Sequence, residues 1–347
     1  MNDELKAFVL TMNKQLEKEN KPTLTFASDI PEIGRMTSGL LALDVATGGG
    51  WPLNKWVEVY GKESNGKTSI ILNTIAANQK IDPDFTTFWL ASEPYNEEWA
   101  EEFGIDNSRV IVMHTNNMES AYQMIINAVQ SEQFDCIVLD SYPALAAGEE
   151  IEKSMDQQSM ALGARRTGQF FRKVEGFHSQ KRPYVGFFVN QLRDAIGSFS
   201  PYGTPKTTPG GNAKNYFFYQ RVLVSRDDWI EEKIDGLGKV KVGQTNKYLL
   251  EKNKAGIPKS VAMGDFYFTD SEKGFTAGQF DTVKDVITMA VLFKLIKRGG
   301  AWFSYVDASG QEHKWQGLPA MTESIRGNIE LHQEIAKKTL DIATAKD

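Results

Sequence analysis

The stretch that most constrains this chain is a glycine-rich loop between a short apolar strand and a helix. Residues Trp56–Tyr60 predict the strand, and residues 69–80 predict the helix. Between them, Gly61-Lys62-Glu63-Ser64-Asn65-Gly66-Lys67-Thr68 has the form G-x-x-x-x-G-K-T, which is a P-loop in its strand-loop-helix setting. A chance glycine-rich turn would not carry both flanking elements. The sequence therefore predicts an α/β fold that binds ATP or GTP.

Each part of this loop has a task in phosphate binding. Gly61 and Gly66 let the backbone curl so that successive N–H groups face one anion, and the helix N-terminus adds its partial positive charge. Lys67 is expected to reach the β- and γ-phosphates, and the Thr68 hydroxyl is expected to hold Mg²⁺. The predicted nucleotide-binding residues of the loop are Gly61, Lys62, Glu63, Ser64, Asn65, Gly66, Lys67, Thr68 and Ser69.

The composition is ordinary for a globular protein. A chain of 347 residues, 41% of them hydrophobic and 24% charged, is long enough for one large core with smaller appended domains. No apolar run approaches the roughly 20 residues that span a bilayer, and the first residues lack the features of a secretory signal. Cys136 is the only cysteine, which excludes an intrachain disulfide and favours an inert core residue. We expect a cytoplasmic protein with no membrane partner.

The charge of the chain is unevenly distributed. The net charge is −6, but the segment from Met160 to Arg226 holds eleven basic and two acidic residues, so it carries +9 while the rest carries −15. A basic zone in an acidic protein is typical of one that binds a phosphate backbone. A solvated basic helix face is the alternative that charge alone leaves open.

From Trp56 onward the pattern alternates between strands and helices. Several of the strands are continuous apolar runs, as expected for a mostly parallel α/β sheet with helices on both faces. The predicted strands are 56–60, 86–91, 136–140, 184–190 and 221–225, and the predicted helices are 68–80, 95–103, 118–131 and 158–177.

The flanking segments predict further units. Residues 2–19 have the apolar spacing of an amphipathic helix, residues 21–35 predict a linker, and residues 40–47 predict a short helix. Gly236-Leu237-Gly238 within 229–269 predicts a hairpin, and residues 319–342 predict one final helix. The expected organisation is an N-terminal helix and linker at 1–34, an ATPase core at 35–270 and a small C-terminal α+β domain at 271–347.

Two acidic residues end apolar strands at the predicted nucleotide edge. Asp140 ends the Walker B-like run Cys136–Asp140, where it would hold Mg²⁺ across from Thr68. Glu93 ends the run Phe88–Glu93, where its carboxylate would orient and partly deprotonate the attacking water. A helix-capping Asp and a solvated loop acid are the respective alternatives.

Gln191 ends another strand at the same edge and precedes a long loop. Its amide would hydrogen-bond the γ-phosphate and sense its loss. The loop of residues 192–212 is rich in Gly, Pro, Ser and Thr and lies in the basic zone. Loops of this length inside a compact domain are usually functional, so we expect a DNA-binding loop ordered by ATP, with a mobile surface insertion as the alternative.

With these motifs the chain resembles the RecA family of homologous-recombination proteins from about residue 35 to 342. The likeness is carried by Ser38–Asp44, Gly61–Thr68, Cys136–Ser141, Met160–Arg165, Asn190–Arg193, Thr207–Asn212, Lys252–Lys254 and Gly300–Trp302. The resemblance implies a RecA-type P-loop core, ATP and Mg²⁺ as cofactors, and a homo-oligomeric helical filament on single-stranded and double-stranded DNA. A single-strand-binding protein and a loader are possible further partners, and the compartment would be the cytoplasm of a bacterium or a phage-infected cell.

The resemblance also implies roles for individual residues. Glu93 matches the family's catalytic glutamate and Gln191 its nucleotide-to-DNA coupling glutamine, while Lys252 and Lys254 match lysines that reach a neighbour's γ-phosphate. Trp99 lies near the adenine-stacking position, Tyr216 at the subunit interface, and the N-terminal helix would dock on the next subunit. The DNA contacts implied, in loops near 148–160 and 192–212, are Met160, Arg165, Arg172, Arg193, Ile196, Gly210, Gly211 and Asn212.

The chain also departs from the family pattern. The second loop is about two residues longer, with Pro201 and Tyr202 added, and the first loop is more acidic. The strongly acidic C-terminal tail of the bacterial proteins is absent, so tail-based control of duplex entry is not expected. The relatively short chain suggests a phage-encoded member, similar in kind to UvsX.

These observations favour an ATP-dependent DNA strand-exchange recombinase, which is a DNA-dependent ATPase. A ring-forming helicase or motor ATPase on the same core is the enzymatic alternative, although no separate collar or primase-binding segment is evident. An ATP-gated scaffold protein is the non-enzymatic alternative, and it has no use for the basic zone or the long loop after Gln191.

Overall fold

A computed structural model describes residues 3–149, 160–177, 179, 181–194, 206–211, 213–236 and 238–345. Within the chain, the internal contacts separate two compact units, Met1–Gly34 and Arg35–Asp347. In the first unit, helix α1 spans Asp3–Lys18, close to its predicted bounds, and none of its residues is buried. The Asn13 side chain bonds the backbone N–H and C=O of Leu24 at 2.7 and 2.8 Å, which holds the following segment against α1.

The second unit contains the remaining helices and all the strands that the described residues form. The helices are α2 Leu41–Thr47, α3 Lys67–Ile81, α4 Glu97–Glu102, α5 Met118–Ser131, α6 Met160–Val174, α7 Ala213–Phe217, α8 Thr282–Leu292, α9 Gly317–Arg326 and α10 Ile329–Thr344. The strands are β1 Arg35–Met36, β2 Trp51–Pro52, β3 Lys55–Gly61, β4 Thr87–Ala91, β5 Val110–His114, β6 Cys136–Asp140, β7 Val185–Gln191, β8 Arg193–Asp194, β9 Lys206–Thr207, β10 Gln220–Ile234, β11 Gly238–Asn253, β12 Val261–Tyr267, β13 Gln279–Phe280, β14 Lys297–Gly299, β15 Trp302–Val306 and β16 Glu312–Gln316.

The main sheet of the described residues has nine strands in the order β13-β12-β11-β10-β3-β7-β6-β4-β5. The six strands from β10 to β5 run parallel to one another. The predicted α/β class and the five predicted strands are confirmed. Strand β5 was not predicted, although residues 110–113 form a short apolar run, because such a run alone does not distinguish a strand from a helix segment. It lies at the sheet edge, and its residues are mostly exposed or half-buried.

The parallel strands are covered on both faces. Val57, Val59 and Ile70 belong to an apolar cluster on one face, whereas Trp56, Phe170 and Phe188 belong to a second cluster. Successive side chains of a strand point to opposite faces, so a strand buried on both sides is apolar at most of its positions. This arrangement leaves the carboxyl ends of the parallel strands exposed. They form one edge of the sheet where a ligand can be bound, distinct from the edge strand β5.

The region after residue 228 continues the same sheet. Strand β10 runs beyond its parallel pairing with β3 and pairs antiparallel with β11, and the predicted hairpin turn lies at Gly236 and Gly238. Strand β12 then pairs with β11, and β13 pairs with β12. The hairpin prediction is therefore confirmed, but the hairpin is an extension of the central sheet.

The C-terminal segment contains α8, a three-stranded sheet of β14, β15 and β16, and two final helices. The prediction of a single helix over 319–342 is wrong. Helix α9 ends at Arg326, and the Asn328 side chain accepts the N–H of Leu331 at 3.0 Å to begin α10. Phe303 and Ile335, which belong to this segment, are part of the same buried cluster as Val57. The domain boundary near residue 270 stays a prediction. Across the part of the chain that the structure describes, no helix is long and apolar enough to cross a membrane.

A buried carboxylate fastens α2 to α8. No side chain caps α2 from its own N-cap position, Leu40. Instead, the Asp285 carboxylate accepts the backbone N–H groups of Leu41 at 2.6 Å and Ala42 at 3.2 Å. Burial raises the pKa of Asp285 to about 7. The first turn of α2 therefore depends on a residue that lies more than 240 positions later in the chain.

We expect Asp285→Asn to flatten the pH dependence of stability. Because the folded-state pKa of Asp285 is raised, its contribution to the unfolding free energy is fully present below about pH 4 and is lost as the pH rises through about 7. Urea unfolding at about pH 5 and pH 7 measures this effect. Between these two pH values, the unfolding free energy should fall less for the variant than for the wild type. The exposed Asp84→Asn should behave as the wild type, and a wild-type slope in Asp285→Asn would contradict the assignment.

Candidate nucleotide and nucleic-acid site

The loop between β3 and α3 leaves the N-terminus of α3 open for an anion. Gly66 is the N-cap residue with φ +86°, and no side chain caps the helix, so its first N–H groups lack a side-chain partner. A Cβ at Gly66 would lie 2.7 Å from Nδ2 of Asn246, and one at Gly61 would lie 2.2 Å from the Val224 carbonyl oxygen. Both positions therefore require glycine. Gly66 is required for its positive φ and for packing, whereas Gly61 is required for packing alone.

Lys67, Thr68 and Asp140 lie together at this helix start. The Thr68 hydroxyl donates to Oδ2 of Asp140 at 2.9 Å, and the Lys67 ammonium donates to the Lys62 carbonyl at 2.8 Å. Burial lowers the pKa of Lys67, opposed by Asp140 and Glu93, and burial raises the pKa of Asp140 to about 6. A hydroxyl and a carboxylate oxygen at this distance are the hard donors that Mg²⁺ prefers, so the pair fits the predicted metal site.

Glu93 lies beside the same pair and is held by its neighbours. The Ser141 hydroxyl donates to Oε1 of Glu93 at 2.6 Å, while the Ser92 hydroxyl donates to the Ser141 carbonyl at 2.6 Å. The N–H of Ser92 also donates to the Asp140 carbonyl at 2.9 Å. These bonds join the ends of β4 and β6, so the two predicted acids share one edge. The exposed side of Glu93 is available to a water molecule at a bound phosphate.

Gln191 lies directly beside the start of the P-loop. In the sheet register Gln191 pairs with Gly61, and the N–H of Leu192 donates to the Gly61 carbonyl at 3.1 Å. The long loop therefore leaves the sheet next to the predicted phosphate site. Antiparallel pairing of β8 with β9 then brings Arg193 opposite Thr207, so the two ends of the loop meet.

Three of the predicted site residues, Trp99, Lys252 and Lys254, contact other residues of their own chain. Trp99 packs against Phe103 and Phe266, with ring centroids 5.5 and 6.4 Å apart. The Lys252 ammonium donates to the Asn215 and Tyr216 carbonyls at 2.7 and 3.0 Å, and burial lowers its pKa to about 8. Lys254 lies 5.5 Å from the ring of Tyr216, whose side chain is exposed. The adenine-stacking and neighbour-reaching roles of these residues stay predictions.

Three of the eight predicted DNA-binding residues, Met160, Arg165 and Arg172, lie on α6. Arg165, Arg172 and Arg193 are exposed. A Cβ at Gly211 would lie 2.9 Å from Cβ of Ala164, so the end of the second loop packs on α6. Met160 begins this helix, whereas Ile196, Asn212 and most of the first loop lie outside the described residues.

The basic zone is partly neutralised by acids from outside it. Among the described residues, four of its cations form ion pairs with acids elsewhere in the chain. Arg166 pairs with Glu119 and Glu149, Arg182 with Asp135, and Lys214 and Arg221 with Glu58. The net charge of the segment therefore overstates the charge available to a polyanion, and exposed residues such as Arg165 and Arg172 account for more of that charge.

Sequence reasoning missed four polar residues that support this edge: Glu58, Asn190, Lys214 and Asn246. All four are buried. Asn246 lies against Gly66, and Glu58 contacts both Asn190 and Lys214 directly. The sequence signal that could have found such residues is an acid or amide inside an otherwise apolar strand, as at Glu58 in Trp56–Tyr60. A polar residue is retained in a core only when a partner satisfies it.

Comparison with known proteins covers nearly the whole chain. The sequence profile of a family described as "RecA N-terminal domain" matches residues 3–272. Protein RecA of Cytophaga hutchinsonii is 32% identical over 97% of this chain and 90% of its own length. Chromosomal Protein RecA of Lactococcus lactis is 33% identical over 88% and 73%, and Protein RecA of Chlorobaculum parvum is 31% identical over 98% and 92%.

We expect Glu93→Gln to bind ATP normally and to hydrolyse it slowly. The amide oxygen can still accept the bond from Ser141, but the amide cannot take a proton from water. Loss of a general base typically lowers the rate about 10²- to 10⁴-fold. The measurements are single-turnover hydrolysis and ATP affinity, with the exposed Glu98→Gln as a control. Turnover close to that of the wild type would show that Glu93 has only a structural role.

Proposed function

We propose, since this chain belongs to the RecA family, that it is an ATP-dependent DNA strand-exchange recombinase for homologous recombination and repair. The observation that carries the proposal is the shared sheet edge. There the P-loop, Asp140 and Glu93 meet the strand whose end, Gln191, opens into the long loop. The three relatives compared above are named Protein RecA, which favours the recombinase over the ring-forming helicase.

The site supports ATP hydrolysis by residues of three strands. Lys67 and the open N-terminus of α3 would bind the β- and γ-phosphates, and Thr68 with Asp140 would hold Mg²⁺, which neutralises phosphate charge when bound. Glu93 would orient the attacking water and accept its proton, while Ser141 fixes the carboxylate. Trp99 would contact the adenine.

The same edge supports coupling between nucleotide and DNA. Gln191 would bond the γ-phosphate, and its neighbour in the chain begins the second DNA-binding loop. Ile196 would wedge between bases. The DNA backbone would be contacted by Met160, Arg165, Arg172, Arg193, Gly210, Gly211 and Asn212. Sequence would then be read by base pairing, so the protein needs no base-specific contacts.

Filament assembly would complete the site between subunits. In this proposal Lys252 and Lys254 reach the γ-phosphate of a neighbour, Tyr216 lies at the interface, and α1 docks on the next subunit. The exposure of Tyr216 and the absence of buried residues in α1 are compatible with surfaces that a second copy covers. The phage-encoded, UvsX-like subtype, the cytoplasmic location, and the single-strand-binding and loader partners stay predictions.

Strand exchange between a single-stranded circle and a homologous linear duplex tests this function. We expect joint molecules that need ATP, Mg²⁺ and homology, together with ATP hydrolysis stimulated by single-stranded DNA. Lys67→Ala should abolish both activities, because the phosphates lose the lysine of the P-loop. Closed rings with duplex unwinding and no joint molecules would instead indicate the helicase.

We expect Lys252→Ala to lower DNA-stimulated ATP hydrolysis through the neighbouring subunit. A mixture of Lys252→Ala with Lys67→Ala should recover part of the activity, since an intact P-loop can then meet an intact lysine from the other copy. The exposed Lys337→Ala is the control and should hydrolyse ATP at the wild-type rate. If mixing restores nothing, Lys252 acts within its own subunit through its bonds to the Asn215 and Tyr216 carbonyls.

A further inference from the structure

A fully buried ion pair lies between the P-loop strand and the end of the second loop. Nζ of Lys214, on α7, is 2.8 Å from Oε1 of Glu58, on β3, and both side chains have 0% exposure. A buried charge is tolerated only when its partners replace the water it has lost. The contacts of this pair therefore show which parts of the chain it holds in place.

The Lys214 ammonium uses all three of its donors. Besides Glu58, it donates to Oγ1 of Thr208 at 2.7 Å and to Oδ1 of Asn215 at 2.9 Å. Thr208 is buried and lies four residues before the end of the predicted DNA-binding loop. A Cβ at Gly210 would lie 2.9 Å from Cδ of Lys214, so the aliphatic part of the lysine also contacts the loop.

The Glu58 carboxylate continues the network to the nucleotide side. Nδ2 of Asn190 donates to its Oε1 at 2.9 Å, and Nε of Arg221 donates to its Oε2 at 2.5 Å. The Asn190 amide also donates to the Pro209 carbonyl at 3.1 Å and accepts the N–H of Gln191 at 2.9 Å. Two loop residues, Thr208 and Pro209, are thus joined through buried side chains to the backbone of Gln191.

A displacement at either end of this network breaks bonds in a dry environment. Hydrogen bonds there are stronger than in water, and a donor or acceptor left without a partner is costly. If Gln191 moves when the γ-phosphate is bound or lost, Asn190 and Glu58 must adjust, and Thr208 and Pro209 with them. The reverse holds when DNA moves the loop, because coupling between two sites is reciprocal.

We propose that Lys214 and Thr208 are positioning residues that couple DNA binding by the second loop to ATP hydrolysis. The inference rests on the proposed recombinase function and names the route within one subunit. Both residues are buried, so we expect neither to touch a bound nucleotide. Their effect is on the conformation of the loop end and of Gln191, and therefore on the response to DNA rather than on hydrolysis itself.

The test compares Thr208→Val, which removes the hydroxyl that accepts hydrogen bonds from Lys214 and Arg221, with Thr208→Ser, which keeps a hydroxyl. The readout is the ratio of ATP turnover with single-stranded DNA to turnover without it, measured on the full-length protein. We expect Thr208→Val to lower this ratio about fivefold or more, the lower limit of typical coupling between sites, while Thr208→Ser keeps it. DNA-free turnover and the thermal unfolding midpoint should change no more than in Thr339→Val, which removes another buried threonine hydroxyl in α10.

Lys214→Met provides a second variant, since it removes the ammonium and retains most of the side-chain volume. It should lower the same ratio at least as much as Thr208→Val, because both the loop and Glu58 lose a partner. If Thr208→Val and Thr208→Ser respond to DNA alike and as the wild type does, the coupling role is wrong although the recombinase function stands. If the wild type itself shows no DNA stimulation and no strand exchange, the proposed function fails and the coupling role fails with it.

Discussion

The structure depends on one constraint, the burial of both faces of a parallel sheet. Because strands β10, β3, β7, β6, β4 and β5 run in the same direction, their carboxyl ends reach one edge of the sheet. Apolar clusters cover the two faces, so this edge is where polar side chains from different strands can meet solvent and ligand. Thr68, Asp140 and Glu93 come together there although they are far apart in the chain.

The polar groups behind that edge form a second layer that is fully paired. Glu58 receives hydrogen bonds from Lys214, Asn190 and Arg221, which belong to a helix and two neighbouring strands. Replacing such a network by apolar residues can leave a fold stable, so its presence in the core does not by itself account for stability. A role in fixing the relative positions of the P-loop strand, the Gln191 strand and the loop end accounts for it better.

The positive charge available at the surface is smaller than the net charge of the segment from Met160 to Arg226 suggests. The segment from Met160 to Arg226 carries +9, yet several of its cations are paired with Glu58, Glu119, Glu149 and Asp135 from elsewhere in the chain. Charges that are buried and paired contribute little to the attraction of a polyanion, whereas exposed arginines on α6 contribute more. Three of the remaining basic residues, Arg165, Arg172 and Lys173, lie on α6, the helix against which the second loop ends.

The sequence alone determined the α/β class, the P-loop, the strand-ending acids and the family, because these depend on local patterns such as G-x-x-x-x-G-K-T and apolar runs that end in Asp140 or Glu93. It did not predict the edge strand β5, the break between α9 and α10, or the partners of Glu58. Those features were decided by tertiary structure. A short apolar run such as residues 110–113 does not by itself distinguish an edge strand from a helix segment. A buried carboxylate on β3 pairs with a lysine more than 150 residues away, a separation that no local pattern records.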